Sequence, residues 1–545
     1  MSARGLRWRK WGEPVEDFVR RHGTEGPRWA VLLTYDCAAT AVAREVLPLL
    51  HKRGRAFKTL ILADAGRMQQ QLVDDGFTPL ECNIYNVRIP DGGVFHPKLL
   101  FLRAGRRCLI GFGSANLTNG GLGQNFELWG TTEDEEIVSA ATAFLRQICA
   151  DRRLLMSASV SHMVAEATAG FEASLSPRFW SSLMGTFHEY SDRHRARSSG
   201  TRLTIISPAY ASEKGMRDAL RPWSGMPIQV KTDNSQRISG ASFHVFDPYA
   251  DRRDASATED DSDQAGATRL HAKAYLFEER SRASLWLGSA NLTMNALRRP
   301  VSGGGNIEIL VQTDLPPQEA RRMHEDLDTW FKDRKLQKVE TIDEDDMPRP
   351  IGKIVAAELE QKQRRLHIEA DLRHGEVFVS QQPNAAAIEI RIKNGVGSVR
   401  LPSNWQVPAT DAPSCWLVFE RVDRKFVAVL VNLPFMSAHS TRSGDGQLDD
   451  VLDELWGNYH PRGEDCAEDE NESVAQQELD NRLDEVRHQG ELDRLAVKVA
   501  LIKKRLRSEA HAEYREHLRE HVMKQLLPRL QPHVRDVVSR WLGEP

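Results

Sequence analysis

Apolar and polar positions follow two textures along this chain. From Trp29 to about residue 335, short apolar runs bounded by glycine, proline and polar clusters alternate with stretches of helical spacing. Trp29–Tyr35 reads as an opening strand, with a helix from about Ala38 to Lys52 after it. Phe57–Ala63, Asn83–Ile89, Leu99–Leu102 and Cys108–Phe112 read as further strands, and a helix over about Glu133–Ile148 closes the series. The order then repeats: strand Thr201–Ser207, helix Glu213–Leu220, then strands Pro227–Lys231, His244–Phe246, Ala274–Phe277 and Leu285–Leu287. Between the two series, Phe171–Arg197 is expected to be helical. Strands alternating with helices predict an α/β layered fold in two halves.

From Pro350 the texture changes to period-two alternation. Val377–Ser380, Ile388–Lys393, Ser398–Leu401, Trp416–Val422 and Lys425–Asn432, with turns at Asn394-Gly395 and Asp423-Arg424, predict a small antiparallel β domain. An acidic linker, Glu464–Glu472, leads to a helical tail where Leu492, Leu495, Val499, Ile502 and Leu506 recur at three- and four-residue spacing. The expected division is 1–165 and 166–345 for the α/β halves, 350–440 for the β domain and 441–545 for the linker and tail.

The halves also share a motif. His96-Pro97-Lys98 is followed by Gly113-Ser114-Ala115-Asn116, and His271-Ala272-Lys273 by Gly288-Ser289-Ala290-Asn291. His96 and His271, Lys98 and Lys273, Ser114 and Ser289, and Asn116 and Asn291 are each 175 positions apart. An Asn-x-Glu block follows each copy and ends at Glu127 and Glu308, where the offset is 181. A long pattern in one register indicates an internal duplication. On a strand, residues two apart share a face, so each histidine would point the same way as its lysine. Each asparagine falls where a strand gives way to a loop. Two halves related by a pseudo-twofold axis would pool two imidazoles, two ammonium groups and two amides. That set suits a phosphodiester: one histidine attacks phosphorus, the other protonates the departing oxygen, and lysines and asparagines hold the non-bridging oxygens. Glu127 and Glu308 would fix the imidazole tautomers. Ser114 and Ser289 suit either the tight turn after the strand or a phosphate contact. Pro97 is awkward on this reading, because proline removes a ladder donor from a central strand.

These residues resemble the phospholipase D superfamily, whose signature is a duplicated H-x-K followed by G-S-x-N, over about residues 28–335. The resemblance implies two phospholipase D-like α/β halves around one composite site, and a covalent phosphohistidine formed without a metal or other cofactor. His96 would be the nucleophile and His271 the acid, each oriented by a glutamate of the opposite half. Lipid-cleaving members carry an aspartate five residues after the lysine; here those positions hold Arg103 and Glu278. The Asn-x-Glu block is more similar to the nuclease and tyrosyl-DNA phosphodiesterase branch. A nuclease or DNA-end-processing enzyme is the expected activity, with DNA favoured over RNA as partner. Members of the superfamily also occur in bacterial restriction and antiviral systems, where extra C-terminal domains would engage partner proteins. The rival readings are a lipid phosphodiesterase or transferase and an inactive nucleic-acid-binding scaffold.

Composition adjusts this only at the edges. The 545 residues suffice for several domains, and the formal net charge of −4 does not advertise a nucleic-acid binder. Positive charge is nevertheless local: Arg4, Arg7, Arg9, Lys10, Arg20 and Arg21 flank Trp8 and Trp11, and Lys503, Lys504, Arg505 and Arg507 cluster in the tail. Either cluster could track a phosphate backbone or be a solvated helix face. Residues 251–266 form an acidic stretch without periodicity, expected to be a loop and either a lid over the site or a surface insertion. Six cysteines show no C-x-x-C spacing, and zinc-ligand spacing is absent. No signal-peptide h-region or apolar run of spanning length is present, so a cytoplasmic protein away from membranes is expected. Oligomeric state stays open, since a duplicated chain can build its site alone.

Overall fold

The apolar runs of the first half become strands buried on both faces, as residues 29–34 and 99–104 show. The structure is a computed structural model describing residues 12–23, 25–50, 57–68, 82–89, 92–194, 201–208, 213–232, 241–246, 269–279, 282–332, 352–360, 363–382, 385–405, 407, 416–422 and 425–432. The chain divides into two units, Met1–Leu50 with Phe57–Phe435 and His51–Ala56 with Met436–Pro545. Every described residue lies in the first. The expected linker and tail, the 251–266 loop, the Arg4–Lys10 cluster and the Asp423-Arg424 turn lie outside the described residues.

The first sheet contains β1 (Arg28–Thr34), β2 (Lys58–Asp64), β3 (Asn83–Val87), β4 (Leu99–Ala104), β5 (Arg107–Gly113) and β6 (Trp129–Thr132), ordered β3-β2-β1-β4-β5-β6. The second contains β7 (Phe179–Ser181), β8 (Arg202–Ile206), β9 (Ile228–Thr232), β10 (Ala241–Phe246), β11 (Ala274–Glu278), β12 (Ala283–Gly288), β13 (Ile309–Leu315) and β14 (Phe331–Lys332). Its order, β14-β10-β9-β8-β11-β12-β13-β7, repeats that of the first sheet and adds one strand at each edge.

Alternation along the strands sorts the core. Leu99 and Phe101 of β4, with Ala274 and Leu276 of β11, enter one cluster that spans both sheets and takes in helices Glu135–Ala150 and Ala158–Ala167. Leu100 and Leu102 face the other way, onto helix Gly12–His22 and the helical segment Ala39–Leu50, whose middle turn is π-helical. Tyr275 and Phe277 face a third cluster around Trp180, Phe187 and Trp223. The sheets therefore share a central core while each keeps an outer one.

Phe171–Arg197 departs from its expected helix. It contains β7, a 3-10 turn at Ser182–Met184 and only a short helix, Phe187–His194. Burial decides this: the Trp180 and Phe187 rings pack 5.1 Å apart in the outer core, and β7 takes up the edge of β13. Within the N-terminal basic cluster, Arg20 and Arg21 pair with Asp17, and Arg21 also with Glu133.

The C-terminal strands close into a barrel of β15 (Ile354–Glu360), β16 (Arg365–Ala370), β17 (His374–Ser380), β18 (Ile388–Lys393), β19 (Val396–Arg400), β20 (Trp416–Val422) and β21 (Lys425–Asn432). The sequence reading missed β15 and β16, and one parallel pair, Ala357 with Val431 and Glu358 with Asn432, closes the ring. The barrel is fused to the first half. Ala428 and Leu430 join its outer core, and the Asn432 amide covers the open edge of β3, accepting from Ile84 N–H at 2.9 Å and donating to Ile84 C=O at 2.7 Å. Asn432→Ala strands both backbone groups, so urea unfolding should show a loss of about 2–4 kcal/mol. An unchanged midpoint would mean that water replaces the amide without cost.

Candidate active site

The backbone builds the site before any side chain does. His96-Pro97-Lys98 and His271-Ala272-Lys273 are extended lead-ins that end where β4 and β11 begin, so neither lies within a ladder as expected. This resolves the proline, since Pro97 has no ladder bond to lose. Each lead-in pairs instead with the opposite half. Phe95 forms a parallel bridge with Ile307, where His96 N–H donates to Ile307 C=O and Ile307 N–H to Val94 C=O, both at 3.0 Å. Phe126 bridges Leu270 in the same way: Phe126 N–H donates to Arg269 C=O at 2.8 Å and His271 N–H to Phe126 C=O at 3.0 Å.

Residues 126 and 307 directly precede the two glutamates, so this crossing delivers each carboxylate to the other half's histidine. His96 Nδ1 donates to Glu308 Oε2 at 2.9 Å, and His271 Nδ1 to Glu127 Oε1 at 2.7 Å. Both bonds use Nδ1, which leaves Nε2 as the ring nitrogen turned away from the carboxylate. Lys98 Nζ donates to His96 C=O at 2.9 Å and Lys273 Nζ to His271 C=O at 2.6 Å. Both lysines are buried.

Ser114 and Ser289 sit one layer behind the histidines. Each is fully buried, donates its hydroxyl to Glu127 or Glu308, and accepts Leu128 or Ile309 N–H at 3.0 Å. Of the two roles open for these serines, the structure shows the hydroxyls at the turn after the strand, holding the carboxylates. The glycines before them are required by close approach. A Cβ on Gly113 would lie 2.3 Å from Leu128 O, and one on Gly288 2.2 Å from Ile309 O. Asn116 and Asn291 are both buried, and the Oδ1 atom of each has no hydrogen-bond partner. A matched pair of orphaned acceptors is relieved only by a ligand that brings a donor, while the Nδ2 groups of the same amides are the ones that could donate to a phosphate oxygen.

The two carboxylates are not electrically equal. Burial pushes Glu127 up, but the His271 charge and hydrogen bond, Lys273 and Ser114 outweigh it and hold the group below its ordinary range. Burial also drives Glu308 up, and Lys98, Ser289, Asn306 and Lys273 offset it only partly, leaving a pKa of about 7. His271 is depressed by burial, with Glu127 opposing and Lys273 and Lys98 adding to the depression. Lys98 thus acts on the histidine of the other half. The groups of both halves share one field.

The sequence reading missed several groups. Asn125 and Asn306, the first residues of the Asn-x-Glu blocks, donate Nδ2 to Glu127 at 3.4 Å and Glu308 at 3.2 Å. Their repetition was the available signal. Tyr35 packs its ring 4.9 Å from the His96 ring. Asp64 Oδ2 accepts Phe95 N–H at 2.9 Å and so fixes the lead-in. Among the described residues, no group of three or more His, Cys, Asp or Glu side chains could hold a metal ion, and no helix is long and apolar enough to cross a membrane.

A raised carboxyl pKa has a stability consequence. Folded Glu308 keeps its proton between its unfolded value of 4.5 and about 7, so the associated stability is present below 4.5 and lost as pH rises through 7. Glu308→Gln removes the ionisation. Relative to wild type, the variant should gain about 3 kcal/mol between pH 4.5 and pH 8 in denaturant titrations. A difference that stays flat with pH would contradict the raised acid.

No protein-family model matches the sequence, and no curated protein matches it either. Among solved structures, the chain is similar to polyphosphate kinase from Porphyromonas gingivalis at a TM-score of 0.35 and 12% identity, covering 58% of this chain and 45% of that one. It is similar to phosphatidylserine synthase from Haemophilus influenzae at a TM-score of 0.39 and 10% identity, covering 62% of this chain and 90% of that one. Yeast tyrosyl-DNA phosphodiesterase gives a TM-score of 0.37 and 13% identity, covering 55% of this chain and 86% of that one. These likenesses are distant, and the family stays a resemblance carried by the duplicated motif.

Proposed function

We propose that the protein is a metal-independent phosphodiesterase working through a phosphohistidine, with a nucleic acid, DNA before RNA, as its substrate class. The observation that carries this reading is the pair of crossed His–Glu bonds, His96 to Glu308 and His271 to Glu127, beside two buried lysines. Lys98, Lys273, Asn116 and Asn291 would hold the non-bridging oxygens. His96 Nε2 attacks phosphorus and forms an N–P bond while the P–O bond to the leaving group breaks, and His271 gives that oxygen its proton. His271 then takes a proton from water, whose oxygen attacks phosphorus and releases His96. The unequal carboxylates support this order. Glu127, held ionised, opposes the burial that depresses His271, and a phosphate entering between the lysines would weaken their contribution to that depression. Glu308, with a pKa of about 7, supports a cationic partner less, which suits the side that attacks. A role in DNA-end processing or in a bacterial restriction or antiviral system fits the extra C-terminal segments.

The test is a panel of labelled DNA, RNA and 3′-adduct oligonucleotides, with lipid vesicles as a parallel arm, all in EDTA. Cleavage should persist, and rapid quenching should trap protein-bound phosphate that is stable in alkali and labile in acid. His96→Asn should abolish the trapped species, and either histidine variant should lower turnover by about 10³-fold or more. Loss of cleavage in EDTA would overturn the histidine scheme. Turnover of vesicles with no oligonucleotide cleaved would move the substrate to lipid.

A further inference from the structure

The lead-in to His271 carries a residue that the chemistry above leaves unused. Phe126 N–H donates to Arg269 C=O at 2.8 Å and His271 N–H to Phe126 C=O at 3.0 Å, so the crossing pins the backbone on both sides of Leu270. Burial then sorts the side chains. Leu270 and Ala272 are buried in the core that the two sheets share. Residues two apart share a face of an extended segment, so Arg269, His271 and Lys273 all stand on the opposite one. Exposure rises along that row: Lys273 is fully buried, His271 is partly buried and Arg269 is exposed. The row leads from the lysine and histidine of the site out to solvent.

The backbone at this position does not need a charged side chain. The residue 175 positions earlier is Val94, and its C=O takes the matching crossing bond from Ile307 N–H at 3.0 Å. The guanidinium at 269 therefore needs another account. Among the described residues no acid pairs with it. Glu127, the carboxylate of the same crossing, already accepts His271 Nδ1 at 2.7 Å, the Ser114 hydroxyl and Asn125 Nδ2 at 3.4 Å. Alternate residues of an extended chain lie about 7 Å apart. Arginine adds a long stem ending in a fork of donors that matches phosphate oxygens. With the scissile phosphate on Lys98 and Lys273, Arg269 stands within reach of the next anionic link beyond the oxygen that His271 protonates.

We infer that Arg269 binds the phosphate next to the scissile one on the leaving-group side, holding the departing fragment by its own backbone charge while His271 protonates its oxygen. The inference rests on the polynucleotide reading above and refines its substrate class. A leaving group with no phosphate of its own gains nothing from this contact, so the subsite favours cleavage within a strand over removal of a terminal adduct.

Methylphosphonate substitution tests it, because it removes one phosphate's charge and leaves the chain intact. Rapid quenching shows which labelled fragment becomes protein-linked, and the other fragment is the leaving group. In wild-type protein, a neutral linkage next to the cleaved bond within the leaving fragment should lower kcat/KM about tenfold. In Arg269→Ala that penalty should shrink below about twofold, and Arg269→Lys should restore part of it. A neutral linkage in the protein-linked fragment should cost variant and wild type alike. A leaving-side penalty below about twofold in wild type would overturn the inference without any variant having to fold. A full leaving-side penalty persisting in Arg269→Ala would overturn it too, as would a penalty that this variant loses on the protein-linked side instead. Failure of the wild type to cleave any oligonucleotide would remove the polynucleotide reading, and this subsite with it.

Discussion

The site depends on one exchange of backbone between the halves. Each His-x-Lys lead-in pairs with the segment just before the other half's glutamate, through Phe95 with Ile307 and Leu270 with Phe126. Two hydrogen bonds fix each crossing, and one donor in each is the amide of the motif histidine itself. The position of the imidazole and of the carboxylate that orients it are therefore set by the same contact. Neither half holds a complete His–Glu pair alone. The crossing also needs bare backbone, since a Cβ on Gly93 would lie 2.2 Å from Gly305 O of the other half. Burying two carboxylates there is expensive unless cations and donors accompany them. Lys98, Lys273, the two serines and the two asparagines of the Asn-x-Glu blocks supply them.

Much of this was legible because the chain repeats itself. A constant offset of 175 locates the histidines, lysines, serines and asparagines, and runs buried on both faces locate the strands that carry them. The destination of Glu127 and Glu308 came from the family resemblance, because no local pattern reports which half a strand's neighbour belongs to. What stayed hidden has two causes. Sequence patterns report periodicity and not partnership, so Tyr35 and Asp64 gave no sign of their contacts with His96 and its lead-in. Weak alternation hides strands as well: Ile354–Glu360 carries two alanines, and its place in the barrel is set by pairing with β16 and β21. Phe171–Arg197 failed for the opposite reason, since its aromatics fit a helical pattern but are claimed by a core that wants them on a strand and a turn.

The positions five residues after each lysine show how a shared frame absorbs different residues. Arg103 donates to Glu166 and Ala167 C=O at 3.0 Å each, capping the end of helix Ala158–Ala167, while its guanidinium lies over Phe171. Glu278 bonds Arg202 and His324, and those partners hold it ionised against its burial. Both side chains are fully committed to packing at the far end of β4 and β11, away from the lead-ins that start those strands. The strands need an occupant there that satisfies local backbone and charge. The crossings lie at the opposite ends of these strands, where the lead-in of each half meets the segment before the other half's glutamate.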